Sequence, residues 1–139
     1  MRVLLDTCVI IDALQAREPF SEAAQEIFIA AANKRFTACI TAKSSTDIYY
    51  LTHRVLHSDI ETRKILSKLF ILFEVLDSAG LDCRKALSSE VSDYEDAVMV
   101  ETAVRSDIDC IVTRKQKDYA KSSVMVLSPP DFLLKIKED

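Results

Sequence analysis

Asp6 interrupts an apolar stretch near the start of the chain. Residues 3–5 have the pattern of a strand entering a core, and the apolar run resumes at residues 9–11. An unpaired carboxylate buried in such a core would be costly in free energy. We therefore expect one of two arrangements: a turn that returns Asp6 to water, or a cation that makes its charge useful.

A second displaced acid lies in the segment SDYEDAVMVETAVRSDIDCIVT, residues 92–113. At about 100° per residue, a helix here places Asp96 within its apolar arc, and Asp93 falls on the same arc. The helix dipole alone could explain Asp93. It explains Asp96 less well, because an acid needed only for the dipole could stay on the wet face. Ser92 and Glu95 have the spacing of a capping box, which gives Glu95 a structural role.

Asp47 is a third candidate, at the edge of the apolar stripe of a predicted helix. Taken alone, it is explained as a first-turn acid or as the ion-pair partner of Lys43 or Arg54. The two other displaced acids give Asp47 more weight, because they need a partner at a shared site.

Three carboxylates that converge on one crevice would repel one another unless they are protonated or bind a metal ion. Ligands made only of oxygen select hard cations, and a site with few carboxylates and retained waters suits Mg²⁺ or Mn²⁺. The simpler alternative is that the acids are separate in space, each satisfied by local partners.

The composition is that of an ordinary soluble globular protein, with 49% apolar and 29% charged residues. The net charge of −4 gives no globally basic surface, so an anionic partner needs local positive charge. The single glycine, Gly80, excludes the glycine-rich phosphate loops of Walker and Rossmann type. The four cysteines form no CxxC pair, and no apolar run reaches about 18 residues. We expect reduced, mostly buried thiols in a cytoplasmic protein without a membrane span.

Short apolar runs alternate with longer helical patterns, as is typical of an α/β protein with a parallel sheet, here in one domain over residues 1–139. In such sheets ligands bind beyond the carboxyl ends of the strands, where Asp6 and Thr113 both fall. The predicted strands are Arg2–Leu5, Thr37–Ile40, Phe73–Leu76, Asp109–Val112 and Ser123–Val126. The predicted helices cover residues 20–33, 43–57, 59–72, 79–89 and 93–106, with a last helix from Asp131.

The order of these motifs resembles that of the PIN-domain nucleases, especially the ribonuclease toxins of bacterial VapBC-type toxin–antitoxin pairs. The resemblance rests on a strand followed by Asp6, on Asp47 in a helix, and on Asp96 opening a helix before the strand end at residues 111–114. It implies a three-layer α/β/α sandwich with a central parallel sheet. It also implies Mg²⁺ or Mn²⁺ as cofactor, RNA as substrate, hydrolysis of phosphodiester bonds, and an antitoxin protein as partner.

By this resemblance the three displaced acids, Asp6, Asp47 and Asp96, are the catalytic residues and hold the metal ion. The family often has glutamate at the second position, so Asp47 must reach with one methylene less. Basic and hydroxyl residues beside the acids are the predicted substrate contacts. They are Arg114, Lys115, Thr7 and Thr113.

The last position of the metal site departs from the family pattern. After the Thr-Arg pair the family usually has Asn or Asp, whereas this chain has Lys115. Asp93, Asp118 or water is then left to complete the metal site. Alternatively, Lys115 occupies the site and contacts phosphate.

Two other functions fit parts of the pattern. A PIN-fold module that binds RNA or protein without activity would explain Lys115, because a lysine in an acidic site can substitute for the metal. A Mg²⁺-dependent phospho-accepting receiver domain would use Asp77 after the third strand, although the acid pair expected after its first strand is missing.

The segment 66–73 is apolar around most of its circumference, which together with the family resemblance predicts a homodimer.

Overall fold

Five parallel strands form the central sheet of the computed structural model, which describes residues 1–138. Their bounds are β1 Arg2–Leu5, β2 Thr37–Thr41, β3 Glu74–Leu76, β4 Cys110–Val112 and β5 Met125–Leu127. The spatial order is β3-β2-β1-β4-β5. Each strand lies on a predicted strand segment, with ends shifted by at most two residues. Residue 139, the last of the predicted domain, lies outside the described residues.

Helices connect the strands and cover both faces of the sheet. They are α1 Thr7–Leu14, α2 Ser21–Ala32, α3 Ala42–Leu56, α4 Asp59–Leu72, α5 Gly80–Ala86, α6 Tyr94–Arg105 and α7 Pro129–Glu138, with a 3-10 turn over Gln116–Tyr119. The sequence patterns predict all of these except α1 and the 3-10 turn. Helix α7 begins two residues before the predicted Asp131, because proline is tolerated in a first helical turn, where its missing N–H needs no partner.

Alternate residues of β1 contribute to two apolar cores on opposite faces of the sheet. Val3 and Leu5 lie in the core that packs against α1 to α4 and α7. Leu4 lies in the core that packs against α5, α6 and the 3-10 turn. The fold is therefore the predicted three-layer α/β/α sandwich.

The carboxyl edge of the sheet brings β1 and β4 side by side. Leu5 is in register with Val112, and the Asp6 N–H donates to the Val112 carbonyl at 3.0 Å. Asp6 and Thr113 therefore follow neighbouring strands. Asp77 follows β3, which lies at the sheet edge and is separated from β1 by β2. In receiver domains the third strand lies next to the first, so this sheet order excludes the receiver fold.

No helix within residues 1–138 is both long and apolar enough to cross a membrane. The four cysteine thiols of the described chain are free: Cys39 and Cys110 are buried, Cys8 is half-buried and Cys83 is exposed. Burial raises the pKa of both Cys39 and Cys110 to about 11, which keeps these two thiols protonated at neutral pH.

Asp82 is a buried acid that the sequence patterns do not single out. Its carboxylate accepts hydrogen bonds from the Ala79 N–H at 3.1 Å, the Thr102 hydroxyl at 3.0 Å and Arg105 Nη2 at 2.8 Å. It thereby caps the start of α5 and ties α5 to α6. The hydrogen bonds from Arg105 are the main reason that the pKa of Asp82 lies below its ordinary value.

We expect Asp82→Asn to lower the free energy of unfolding by about 2 kcal/mol, because hydrogen bonds to a charged acceptor contribute about 1.5–3 kcal/mol. Urea unfolding measures the change. The stabilising effect of Asp82 should be complete above about pH 4 and disappear as the pH falls through the lowered pKa of the folded protein.

The matched control for this prediction is Asp59→Asn. Asp59 pairs with Arg63 and accepts a hydrogen bond from the Tyr49 hydroxyl, and both contacts lie on the exposed surface, where water screens the charges. This variant should change the stability far less than Asp82→Asn does. Equal losses in the two variants would contradict a structural role for the buried Asp82 carboxylate.

Candidate functional site

Asp6 lies between the end of β1 and the start of α1, where it is the N-cap residue of the helix. Its Oδ1 accepts a hydrogen bond from the Thr7 N–H at 2.8 Å. Its Oδ2 accepts one from the Thr113 hydroxyl at 2.7 Å. Because Asp6 is only 4% exposed, the turn does not return its carboxylate to water. Both carboxylate oxygens are satisfied by these local hydrogen bonds, and the cation near Asp6 is the Lys115 ammonium, 3.9 Å from Oδ2.

Asp96 lies in the first turn of α6 and is 3% exposed, as the helical projection predicts. Its Oδ1 accepts a hydrogen bond from the Tyr119 hydroxyl at 3.0 Å. Its Oδ2 is buried and has no hydrogen-bond partner among residues 1–138. Burial raises the pKa of Asp96, and Lys115 and Tyr119 oppose the rise. A buried carboxylate oxygen without a partner is costly, so this atom is available to a ligand.

The Lys115 ammonium lies between the two buried acids. Its Nζ is 3.3 Å from Asp96 Oδ1 and 3.9 Å from Asp6 Oδ2. Burial by itself lowers the pKa of Lys115, but the charges of Asp6 and Asp96 outweigh this effect and raise it. The Lys115 N–H also donates to the Thr113 hydroxyl at 3.0 Å. One hydroxyl group therefore joins the lysine backbone to the Asp6 carboxylate.

Hydroxyl groups also join the starts of α1 and α3. Thr7 Oγ1 donates to Ser44 Oγ at 3.1 Å, and the Ser44 N–H donates to Thr41 Oγ1, the N-cap of α3, at 3.0 Å. Thr7 thus holds Asp6 through its backbone N–H, while its hydroxyl holds α3. This contact fixes α3, and with it Asp47, relative to Asp6.

Asp47 forms the ion pair that the sequence offered as its simpler explanation. Lys43 Nζ is 2.8 Å from Asp47 Oδ2 and 3.1 Å from Glu95 Oε2. The lysine therefore links α3 to the first turn of α6, where Glu95 directly precedes Asp96. These three residues form a second group of alternating charges, Asp47–Lys43–Glu95, which joins α3 to the start of α6.

The start of α6 differs from the predicted capping box. Asp93 is the N-cap residue, and its Oδ1 accepts a hydrogen bond from the Asp96 N–H at 3.0 Å. The prediction that Ser92 and Glu95 cap this helix is wrong. Serine and aspartate cap helices about equally well, so adjacent candidates could not be separated from the sequence. The capping bond gives Asp93 a local role, and it also helps to fix Asp96.

Arg114, a predicted substrate contact, has close partners at α1 and before α2. Its Nη2 is 3.1 Å from Asp12 Oδ1, and its Nε donates to the other oxygen of the same carboxylate. The guanidinium carbon lies 4.0 Å from the centre of the Phe20 ring. Asp12 is 1% exposed, so this forked pair compensates a buried charge. A role of Arg114 in binding substrate stays a prediction.

The structure brings together two of the five predicted metal ligands. Asp6 and Asp96 meet at the Lys115 ammonium. Across residues 1–138, no three Asp, Glu, His or Cys side chains are grouped closely enough to hold a metal ion. The other three predicted ligands are paired, engaged in capping or exposed; they are Asp47, Asp93 and Asp118.

Two carboxylates are nevertheless a suitable donor set for Mg²⁺. This ion is commonly held by one or two carboxylates together with retained waters. Asp6 and Asp96 are both ordered by hydrogen bonds, and Asp96 Oδ2 is a free oxygen in a buried position. The residues present therefore fit the ion, provided that the Lys115 ammonium withdraws from the space between them.

Tyr119 is a site residue that the sequence reasoning missed. It is 2% exposed, and its hydroxyl donates to Asp96 from the end of the 3-10 turn. Burial raises the pKa of Tyr119, which keeps the hydroxyl protonated as a donor. The available signal was a single aromatic residue closing the charged run RKQKDY.

Comparisons with known proteins agree with the fold. The family model described as the PIN domain matches residues 2–117. VapBC2 from Rickettsia felis, bound to a promoter DNA fragment, has a TM-score of 0.64 at 15% identity over 92% of this chain and 98% of that chain. A toxin–antitoxin complex from Klebsiella pneumoniae has a TM-score of 0.65 at 22% identity, over 91% and 97%. FitAcB from Neisseria gonorrhoeae gives 0.64 at 19% identity, over 91% and 97%. No curated protein matches this sequence.

We expect Thr113→Val to lower the free energy of unfolding by about 1–3 kcal/mol, because the buried Asp6 carboxylate and the Lys115 N–H both lose a partner. Unfolding by urea in EDTA measures the loss. Thr113→Ser is the matched control, since it keeps the hydroxyl, and it should retain most of the stability. If valine and serine had the same effect, the hydroxyl would not be what holds Asp6.

Proposed function

The chain belongs to the PIN-domain family, and on this premise we propose that it is a divalent-metal-dependent endoribonuclease, the toxin of a toxin–antitoxin pair. The observation that carries the proposal is the pair of buried carboxylates at the carboxyl edge of the sheet, Asp6 and Asp96, with one oxygen left unpartnered. Burying two carboxylates costs free energy, and a functional reason for this cost is that the acids hold a catalytic cation.

Asp6 and Asp96 would hold Mg²⁺ or Mn²⁺, and Asp47 is proposed as the third acid once it leaves Lys43. A divalent ion held there would supply Lewis-acid polarisation of the scissile phosphodiester and lower the pKa of an attacking water. The chain's own task is to keep the carboxylates in place. Thr113 and the Thr7 N–H orient Asp6, while Tyr119 orients Asp96.

Positive charge close to the acids would bind the RNA backbone of an otherwise acidic protein. Lys115 lies at Asp6 and Asp96, Lys43 lies at Asp47, and Arg114 lies two residues after the end of β4. Thr7 stays a proposed substrate contact. Thr113 is fully buried, with its hydroxyl bound to Asp6 and to the Lys115 N–H, so it would act by holding Asp6 rather than by touching the substrate. Because the net charge is −4, RNA binding should depend on this local charge and weaken with salt.

An antitoxin partner is proposed from the structural neighbours, which include toxin–antitoxin complexes. We also propose that the chain forms a homodimer, that residues 1–139 form one domain, and that the protein is cytoplasmic. Helix α4 supports self-association, since Ile60, Phe70 and Ile71 expose large apolar side chains.

The second candidate function is a PIN-fold module that binds RNA or protein without cleaving it. One observation favours it: the Lys115 ammonium already compensates the two acids. In that case no divalent ion would be needed, and none would bind in a manner that depends on Asp6. Metal binding therefore separates the two functions.

We expect Asp6→Asn and Asp96→Asn each to reduce metal-dependent cleavage of a mixed RNA pool by at least about 100-fold, since each removes a charged ligand from the ion. Cleavage is followed with Mg²⁺, Mn²⁺ or EDTA. Glu26→Gln, an exposed acid in the middle of α2, is the matched control and should cleave like the wild type. Circular dichroism checks that the fold is retained. Undiminished cleavage by either aspartate variant would refute this site.

The remaining acids can be ranked by Mn²⁺ titration of single variants. Asp47→Asn should weaken binding about tenfold, because α3 is fixed to the Asp6 loop and the Asp47 carboxylate is held only by the exposed Lys43 side chain. Asp93→Asn and Asp118→Asn should leave the affinity unchanged, because Asp93 is engaged in capping α6 and Asp118 is exposed. A weakened affinity in either of these two variants would identify the last ligand instead of water.

A further inference from the structure

Lys115 occupies the space between the two proposed metal ligands. Its ammonium is 3.3 Å from Asp96 Oδ1 and 3.9 Å from Asp6 Oδ2, and both acids are buried. We propose that Lys115 is a built-in competitor of the divalent ion: its ammonium compensates the acids in the metal-free protein and has to leave before the ion can bind. The identity of the ion in this inference rests on the proposed function.

The backbone around Lys115 is fixed, so the ammonium is directed to the acids. The Lys115 N–H donates to the Thr113 hydroxyl, which donates to Asp6. Four residues further along, Tyr119 binds Asp96. The segment is therefore attached to both acids, and its lysine side chain starts beside them.

The side chain of Lys115 is free to withdraw, whereas the acids are not. It is 43% exposed, compared with 5% for the Asp6 side chain and 4% for that of Asp96. Lysine carries a compact charge on a flexible stem and forms no rigid fork with a carboxylate, unlike arginine. Moving the ammonium into solvent thus requires only rotation of its own side chain.

The ammonium and the ion cannot both occupy this space. Mg²⁺ binds carboxylate oxygens at about 2.0–2.1 Å, so an ion shared by Asp6 and Asp96 would lie within a few ångströms of Nζ as now placed. Two cations at that distance repel each other strongly in a site of low dielectric. Binding of the ion therefore expels the lysine.

Competition of this kind lowers the apparent metal affinity in proportion to the fraction of molecules whose site is open. If Lys115 fills the site about nine-tenths of the time, its removal tightens binding about tenfold. The chain would then need a higher metal concentration than the two acids alone would require.

The first test is titration of Mn²⁺ by calorimetry into wild-type protein, Lys115→Met and Lys117→Met. Lys115→Met should bind Mn²⁺ about tenfold more tightly than the wild type. Lys117→Met removes an equal charge from an exposed position two residues away and should bind like the wild type. Equal or weaker binding by Lys115→Met overturns the inference, and so does an equal gain in both variants.

The second test uses the wild-type protein, because Lys115→Met leaves two buried carboxylates without their cation and could fold poorly. Mg²⁺ is added to protein labelled with ¹³C at the lysine side chains, and the Lys115 signal is identified by its absence in Lys115→Arg, which keeps a cation beside the two acids. The signal should move towards that of a lysine in water as Mg²⁺ saturates the site. A signal unaffected by saturating Mg²⁺ overturns the inference.

RNA cleavage is measured separately, so the inference and the proposed function can fail independently. Tighter Mn²⁺ binding by Lys115→Met without cleavage by any form supports the inference and refutes the nuclease. Metal-dependent cleavage by the wild type with equal Mn²⁺ affinities supports the nuclease and overturns the inference. Absence of Mn²⁺ binding in all three proteins overturns the inference and the metal dependence together.

Discussion

Two carboxylates, Asp6 and Asp96, are buried at one edge of the sheet with the Lys115 ammonium between them. The neighbouring residues have to compensate the free-energy cost of burying these charges. An isolated buried charge is expensive, and two of the same sign are more so. Neighbouring groups donate hydrogen bonds to both acids. The Thr7 N–H and the Thr113 hydroxyl donate to Asp6, and the Tyr119 hydroxyl donates to Asp96. Of the four carboxylate oxygens of Asp6 and Asp96, Asp96 Oδ2 is the one without a hydrogen-bond partner among residues 1–138, and the excess negative charge is left to a cation.

The topology of the fold supplies part of the positive charge that compensates the two carboxylates. Helix α1 starts directly after β1 and α3 directly after β2, so both helices begin at the carboxyl edge. Helix α6 also begins there, because its first turn meets the segment that follows β4. The starts of helices carry partial positive charge, which stabilises carboxylates. Three helix starts thus surround the acids, and the sheet order, with β1 beside β4, determines that Asp6 and Thr113 meet.

The fold was more predictable than the partners of individual side chains. Periodicity located the strands and showed Asp96 on an apolar face, because these features depend on neighbours in the sequence. Helix α1 was missed because Asp6 resembled an interruption of an apolar run, whereas it is a helix cap. The pair of Arg114 with Asp12 joins residues 102 positions apart, and no local pattern carries that information. The family resemblance offered Lys115 as an occupant of the site, whereas its contacts with Asp6 and Asp96 follow from the topology.

Lysine at position 115 leaves the pair of acids in place but changes how their negative charge is compensated. Asparagine or aspartate there would add an oxygen ligand, whereas lysine adds a cation that the acids already bind. A single ammonium balances one of two negative charges, while a divalent ion balances both, so direct attraction favours the ion. The lysine has the opposite advantage: it is attached to the site and is present at high local concentration whatever the supply of metal. The two carboxylates hold the divalent ion or the ammonium according to which is larger: the advantage of the ion's higher charge or the advantage of the lysine's high local concentration.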